Sequence, residues 1–145
     1  MNITSSAFEN NQPIPQKYSC NGENVSPPLS IREIPEGTRS LAILVDDPDA
    51  PAKVWVHWLI WNINPKSSVI LEGNVPEGTV KGSNDFNNTG WEGPCPPSGT
   101  HRYFFRVYAL DKTIDLSEGA RRSDMEKAIE GHVIDSAELV GLYSK

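Results

Sequence analysis

Three stretches of the chain carry long runs of apolar residues, and residues that favour turns bound each run. The runs cover 39–46 (RSLAILVD), 55–63 (WVHWLIWNI) and 101–110 (HRYFFRVYAL). Their β-branched and aromatic side chains favour buried strands. Weaker patterns predict a fourth strand over 138–145 (ELVGLYSK) and a fifth over 68–73 (SVILEG). The pattern therefore predicts a mostly β protein.

Helical signal is confined to the chain after residue 116. Ser123 and Glu126 fit the S-x-x-E capping box that often begins a helix, and Gly131 fits the glycine that often ends one. The residues between them (DMEKAIE) are good helix formers. We expect a helix of about two turns that decorates the sheet and does not build the core.

Alternation along a strand predicts which side chains share a face. In the second run, one face is expected to carry Trp55, His57, Leu59 and Trp61. In the third run, one face is expected to carry His101, Tyr103, Phe105 and Val107. Each strand would then present a histidine and an aromatic side chain on one face near its N-terminal end.

Composition agrees with a single β-rich domain. The 145 residues include 12 prolines and 11 glycines, which favours frequent turns over long helices. The length is typical of one domain, and no repeat or linker divides it, so we expect one domain over 1–145. The net charge is −6 and no basic stripe is present, which argues against a nucleic-acid partner.

The sequence also bounds location and cysteine chemistry. No segment approaches the apolar length of a membrane span, and the N-terminus (MNITSSAFENNQPIPQ) lacks the charged and apolar regions of a signal peptide. These features predict a cytoplasmic protein with no membrane span.

Cys20 and Cys95 are too few for a disulfide framework, and no C-x-x-C spacing indicates zinc. A single bridge between them is compatible with the sequence.

The candidate chemistry is a small polar set beside the strands. It comprises Asp47 and Asp49 in the turn DDPDAP (46–51), His57, and His101 with Tyr103. Each has an ordinary structural role too, because Asp and Pro form turns and a histidine in an aromatic strand is often a hydrogen-bonded core residue. The segment GPCPPSGT (93–100) is also consistent with a rigid loop alone. Asp46 is expected to cap the end of the first strand.

Three functions are open to this set. Two aspartates and two histidines suit a zinc, iron or manganese site, although no H-x-H or H-x-x-x-H spacing supports one. A hydrolase could use them as general acid and base with Ser98 or Cys95 as nucleophile, although no G-x-S-x-G motif is present. The third function is binding of a small phosphorylated or zwitterionic ligand. Imidazoles and the N–H groups of a glycine-rich turn would donate to phosphate oxygens, and a carboxylate would accept the phosphate proton or pair with an ammonium group. The walls of such a pocket would include Trp55, Trp91 and Tyr103.

Five motifs together resemble one known family. They are YSCNGENVSPPLS, DDPDAP, VHWLIWNI, GPCPPSGTHRYFFRVYALD and the C-terminal GLY. The chain resembles the phosphatidylethanolamine-binding protein family, within it the short bacterial and archaeal branch called Raf kinase inhibitor-like proteins. The resemblance extends from about Tyr18 to Tyr143. Its specificity rests on D-P-D-A-P and G-P-x-P-P-x-G-x-H-R-Y, which occur in order.

The resemblance implies a fold and a site. The implied fold has a large antiparallel-rich central sheet, a smaller second sheet and few short helices. The implied anion pocket lies near the sheet edge and is formed by Asp47, Pro48, Asp49, Pro51, Trp55, His57, Gly93, Pro94, His101 and Tyr103. A cis peptide bond at Ala50–Pro51 is implied as well.

The resemblance also implies a function. We expect a non-enzymatic module with no cofactor and no metal, which binds a small phosphate- or carboxylate-bearing ligand. A kinase or a protease that it inhibits is the implied protein partner, and the short branch implies a homodimer. A hydrolase or metal-dependent enzyme that uses the Asp/His set is the alternative.

Overall fold

Nine strands, one α-helix and one short 3₁₀ helix make up the computed structural model, which describes residues 1–145. The strands are β1 (Asn2–Thr4), β2 (Gln12–Pro13), β3 (Leu29–Arg32), β4 (Ser40–Asp47), β5 (Trp55–Ile63), β6 (Val69–Ile70), β7 (Val80–Lys81), β8 (Thr100–Leu110) and β9 (Val133–Ser144). The α-helix, α1, is Arg122–Ile129, and the 3₁₀ helix is Gln16–Tyr18. None of the helices is long and apolar enough to span a lipid bilayer.

The strands form two sheets. The larger has six strands in the order β2-β9-β8-β4-β5-β7, and the smaller has the order β1-β3-β6. Every pair is antiparallel except β2 with β9. These sheets confirm the mostly β fold with a large antiparallel-rich sheet and a smaller second one.

The central sheet is covered on both faces. One face packs on the small sheet through a core that includes Ile43, Val45 and Phe105. The opposite face packs on α1 and the segment before it through Leu44, Trp61 and Met125, among others. Strand β4 is buried along its whole length, as its continuous apolar sequence predicts.

The three long apolar runs are confirmed as strands β4, β5 and β8. The weaker fifth run forms only the two residues of β6, whereas the fourth belongs to a strand that begins earlier, at Val133. The first half of β9 lacks an apolar pattern because many of its side chains are exposed. This half of β9 is a strand because its backbone pairs with the C-terminal half of β8.

The helix is confirmed, but its predicted cap is wrong, and so is its expected place outside the core, because Met125 and Ile129 are buried in the cluster on that face of the sheet. Helix α1 begins before Ser123, and the Asp124 carboxylate accepts a hydrogen bond from the Arg121 backbone N–H at 3.0 Å. Gly131 follows the helix with φ +79°, so the glycine stop is confirmed.

The predicted role of Asp46 as a cap of the strand end is wrong as well. Asp46 is fully buried within β4, on the face that packs on α1.

Strict alternation is confirmed in β8 and wrong in β5. The register of β5 against β4 slips between the pairs Val45–Trp58 and Asp46–Val56, which leaves His57 as an extra, bulged residue. A second slip lies near the other end of β5. His57 consequently shares the core face of Trp58 and not the opposite face that carries Leu59.

The expected cis peptide bond is not found, since every peptide bond in the structure is trans. The trans form is the usual one for X-Pro bonds. The turn after β4 is built in another way: the Asp47 carboxylate accepts a hydrogen bond from the Asp49 backbone N–H at 2.8 Å. This aspartate turn reverses the chain.

Cys20 and Cys95 form a disulfide, with their Cα atoms 5.5 Å apart. The bond joins the segment after the 3₁₀ helix to the proline-rich loop before β8. Cys95 is therefore not a free nucleophile in this structure, which removes one of the two nucleophiles that a hydrolase would use.

Candidate functional site

A cavity of about 240 Å³ opens where the C-terminal end of β4 lies beside the N-terminal ends of β5 and β8. Its polar wall consists of Asp47, His57, His101 and Tyr103. The rest of its lining consists of Ala50, Pro51, Ala52, Trp55, Phe86, Cys95, Pro96 and Pro97. The cavity thus combines a few polar groups at its wall with a mainly apolar surround, which is typical of small-molecule sites.

Asp47 orients His101. The two side chains are buried, and His101 Nδ1 lies 2.6 Å from Asp47 Oδ2. A carboxylate only accepts, so Nδ1 carries a proton and donates it. The other oxygen of Asp47 is taken by the Asp49 backbone. His101 Nε2 is therefore the nitrogen left for a ligand, and Asp47 fixes the tautomer and direction of the ring.

His57 is held in a second, independent way. Its Nδ1 lies 2.6 Å from the Glu92 carbonyl oxygen, which can only accept, so Nδ1 donates. The bulge in β5 turns this ring toward the cavity, where it contacts Tyr103 and Phe86 edge to face. Burial lowers the pKa of His57 below its usual value. The neutral ring thus offers Nε2 as a hydrogen-bond acceptor.

Tyr103 contributes a buried hydroxyl without a partner. The residue is 1% exposed, and no group of the chain meets its hydroxyl with good hydrogen-bond geometry, although the Asp47 carboxylate and the Cys95 backbone lie nearby. Burial raises the pKa of Tyr103 above its usual value, and the nearby Asp47 carboxylate raises it further. A neutral hydroxyl that stays unpaired in a cavity wall carries a desolvation penalty, which a ligand can relieve.

Asp49 lies outside the cavity, although the sequence placed it in the site. Its carboxylate pairs with the Arg102 guanidinium through two contacts of 2.9 Å and also accepts the Arg102 backbone N–H. Arg102 holds the pKa of Asp49 well below its usual range, at about 2. The structure therefore separates the two acids of the turn: Asp47 faces the cavity and Asp49 faces Arg102.

Three other predicted site residues also lie outside the cavity lining. Pro48 belongs to the turn between the two acids. Gly93 packs so closely on the Tyr18 backbone that any side chain would clash, and Pro94 accepts a hydrogen bond from the Cys20 N–H at 3.1 Å. These residues shape the loop that carries part of the wall. The predicted Pro51, Trp55, His57, His101 and Tyr103 do line the cavity together with Asp47.

Sequence reasoning missed Phe86 and misplaced Trp91. Phe86 is an isolated aromatic residue in a polar loop (NDFNN), it remains 38% exposed, and it packs on Trp55 at the cavity mouth. An apolar residue alone in such a loop is the signal that could have indicated it. Trp91 instead packs in the core against Trp58 and Phe105.

The enzyme alternatives gain no support from this geometry. Nowhere in the chain do three or more His, Cys, Asp or Glu side chains come close enough to hold a metal ion. The Asp47–His101 pair could act as a base, but Ser98 does not line the cavity. What the site does offer is a set of hydrogen-bonding groups: the Nε2 atoms of His57 and His101 and the hydroxyl of Tyr103.

Fold and site together define a class of two-sheet β proteins with a small cavity at the ends of the central strands. The chain belongs to the phosphatidylethanolamine-binding protein family, whose sequence model matches residues 4–144. This match confirms the resemblance seen in the motifs.

Two relatives match this chain along nearly their whole length. A UPF0098 protein of Methanothermobacter thermautotrophicus is 51% identical over 150 aligned positions, which cover 100% of this chain and 99% of that protein. The solved structure of a phosphatidylethanolamine-binding protein homologue from Chlamydia trachomatis is 41% identical, with a TM-score of 0.95 and coverage of 99% of this chain and 97% of that one.

Two further solved structures mark the breadth of the fold. YbcL of E. coli, described as a member of the mammalian family, is 31% identical with a TM-score of 0.93 over 99% of this chain and 98% of its own. A carboxypeptidase Y inhibitor, solved in complex with its cognate proteinase, is 14% identical with a TM-score of 0.60 over 99% of this chain and 83% of its own. That last likeness shows the fold alone.

Proposed function

We propose that this protein is a non-enzymatic binding module whose cavity takes a small phosphate- or carboxylate-bearing ligand. The observation that carries the proposal is the unpartnered hydroxyl of Tyr103, buried in the wall of a cavity that two oriented histidines also line. Buried polar groups are nearly always hydrogen-bonded in proteins. A ligand oxygen in the cavity would supply the missing partner.

The wall suits an anion that is partly protonated. The Tyr103 hydroxyl would donate to a ligand oxygen, whereas neutral His57 would accept a hydrogen bond from an acidic P–OH or C–OH group, and His101 Nε2 would form a third contact. Asp47 is already committed to His101 and the turn, so it would act through the ring it orients. A phosphate monoester, whose second pKa is about 6, provides both kinds of oxygen near neutral pH.

NMR titration with inorganic phosphate and O-phosphoethanolamine tests the proposal. We expect the ring signals of His57 and His101 to shift on binding. Tyr103→Phe should weaken binding about tenfold, the effect of one lost hydrogen bond to a charged group. The same variant should be as stable as the parent or more stable, because it removes an unpaired buried hydroxyl.

Tyr108→Phe is the matched control. Tyr108 lies on the same strand but packs toward α1 on the opposite face of the sheet. Its loss of a hydroxyl should leave the titration unchanged. If millimolar ligand shifts neither histidine in the parent protein, the anion site is ruled out.

A protein partner, a homodimer and a cytoplasmic location belong to the same proposal. Inhibition of a kinase or protease rests on the family resemblance, and assays of the purified protein against candidate enzymes would test it. Sedimentation velocity tests the homodimer.

The disulfide argues against the cytoplasmic location, because disulfides are rare in the cytosol outside hyperthermophiles. Thiol trapping in fractionated cells would show whether the oxidised protein is present in the cytoplasm.

A further inference from the structure

The disulfide forms part of the cavity and is accessible to solvent. Cys95 lines the cavity beside the histidines, and both Cys95 and Cys20 are exposed. The Cys95 backbone also lies near the Tyr103 hydroxyl, where it opposes the rise of the Tyr103 pKa. Exposed disulfides are the ones that thiols reach and exchange with, in contrast to buried structural ones.

The loop that carries Cys95 has few other attachments. Residues 95–98 make no backbone–backbone hydrogen bond with any other part of the chain, and two of them are prolines without an N–H. The backbone bonds that flank the loop are those of the Pro94 carbonyl and the Gly99 carbonyl. Within the loop, only the buried Pro96 packs inward. The sulfur bond is therefore the main restraint on this wall.

The segments on either side would remain paired without the sulfur bond. The Cys20 N–H donates to the Pro94 carbonyl at 3.1 Å, and the Gly93 N–H donates to Asn24 Oδ1 at 2.8 Å. The Trp91 indole N–H donates to the Tyr18 carbonyl at 3.2 Å. These contacts would hold the two thiols near one another after reduction, so the bond could re-form.

We propose that the Cys20–Cys95 disulfide is a thiol-exchange site that controls the shape of the cavity and so its affinity for an anion. A small thiolate attacks one sulfur, the S–S bond breaks, and the other sulfur leaves as a thiolate. A second thiol then resolves the mixed disulfide. The products are two protein thiols and one small-molecule disulfide, so two small thiols are oxidised as the protein is reduced.

Reduction releases residues 95–98 from Cys20, and the cavity loses a fixed wall. Ligands bind more weakly to a site whose loop they must order. The affinity change rests on the proposed anion-binding function. The exchange itself and the movement of the wall do not.

The experiment compares the oxidised protein with protein reduced by dithiothreitol in native buffer. We expect complete reduction without denaturant, counted as two thiols by mass spectrometry after alkylation. We also expect reduction to shift the His57 and His101 ring signals and to weaken O-phosphoethanolamine binding at least about tenfold. Reoxidation should restore both properties. The control is the double variant Cys20→Ser with Cys95→Ser. Its histidine signals and ligand affinity should match those of the reduced protein and should not change when dithiothreitol is added.

The outcomes separate the two proposals. If the oxidised protein binds the ligand and reduction changes neither affinity nor the histidine signals, the switch is overturned and the anion site stands. If the oxidised protein binds no ligand, the anion site fails, and unchanged histidine signals on reduction would overturn the switch as well. A disulfide that resists dithiothreitol until denaturant is added would also overturn the switch.

Circular dichroism of the reduced protein checks that the sheet is retained. Loss of the sheet on reduction would contradict a local switch.

Discussion

Asp47 and Asp49 lie two residues apart, yet their carboxylates have different partners. Asp47 binds His101 in the cavity wall, and Asp49 binds Arg102 outside it. We expect Asp47→Asn to weaken O-phosphoethanolamine binding about tenfold, by analogy with the loss of a carboxylate that orients a metal-binding histidine. Asp49→Asn should leave binding unchanged, because its side chain does not line the cavity. Calorimetric titration of both variants measures the difference, and equal losses would contradict the assignment.

His57 makes stability depend on pH in a definite direction. Burial lowers its pKa in the folded protein, so the unfolded chain binds the proton at higher pH. The difference between the folded and unfolded pKa of His57 therefore changes the free energy of unfolding with pH. The free energy is highest above the unfolded pKa of about 6.5 and decreases as the pH falls toward the lower folded value. In His57→Gln, whose amide N–H can still donate to the Glu92 carbonyl, the unfolding free energy should fall less between pH 8 and pH 5.5.

Urea denaturation at the two pH values measures that fall. The parent and the variant keep His101 and His132, so their other histidine contributions cancel in the comparison. Identical falls in both proteins would show that His57 is not the group responsible.

The candidate site was predictable where a residue's position follows from its own strand. His101 and Tyr103 alternate along β8 as the sequence indicates, and Asp47 ends β4. The role of Asp49 was not predictable, because it depends on Arg102, which lies 53 positions away along the chain. Phe86 was missed for the same reason, since only the folded loop brings it to Trp55.

An ion cluster attaches α1 to the central sheet. Asp46 in β4 pairs with Arg106 in β8 at 3.1 Å and with Arg122 in α1 at 3.0 Å. Its side chain is 1% exposed, whereas the two guanidiniums are partly exposed. Asp46→Ala would leave two arginines beside the sheet without their buried counter-charge.

We expect Asp46→Ala to lower the free energy of unfolding by about 3 kcal/mol, as removal of one partner of a buried ion pair does. Glu126→Gln is the control, because Glu126 also pairs with Arg122 but is 56% exposed. That variant should lose less than about 0.5 kcal/mol. Chemical denaturation measures both, and a similar effect of the two substitutions would rule out a structural role for the buried acid.

Element prediction succeeded where the pattern was long and local. Strands β4 and β5 have nearly continuous apolar sequences that any partner would bury, and β8 alternates buried side chains with more exposed ones along its length. Strands β2 and β7 have only two residues each and exist because a neighbouring strand supplies their hydrogen bonds. The bulge in β5 was invisible for the same reason, because an extra residue is defined only against the strand that lies opposite.

At the scale of the whole molecule, the disulfide closes a loop between residues 75 positions apart. Such a crosslink restricts the unfolded chain and contributes about 4 kcal/mol in the loop-entropy account. We expect reduction to lower the melting temperature by roughly 10 °C for a domain of this size. Differential scanning calorimetry with and without dithiothreitol measures it. The double serine variant should show the lower temperature in both conditions, and an unchanged parent would contradict the prediction.

The slips in β5 also have a consequence for chain length. Strand β5 uses nine residues, Trp55–Ile63, to span what β4 covers in seven, Leu41–Asp47. Two residues are therefore surplus to the ladder, and one of them is His57. A single deletion at that position would leave every other pair of these two strands intact and would give a more regular sheet. Strand β5 cannot be regular at this point and also turn His57 toward the cavity, and in this chain His57 faces the cavity.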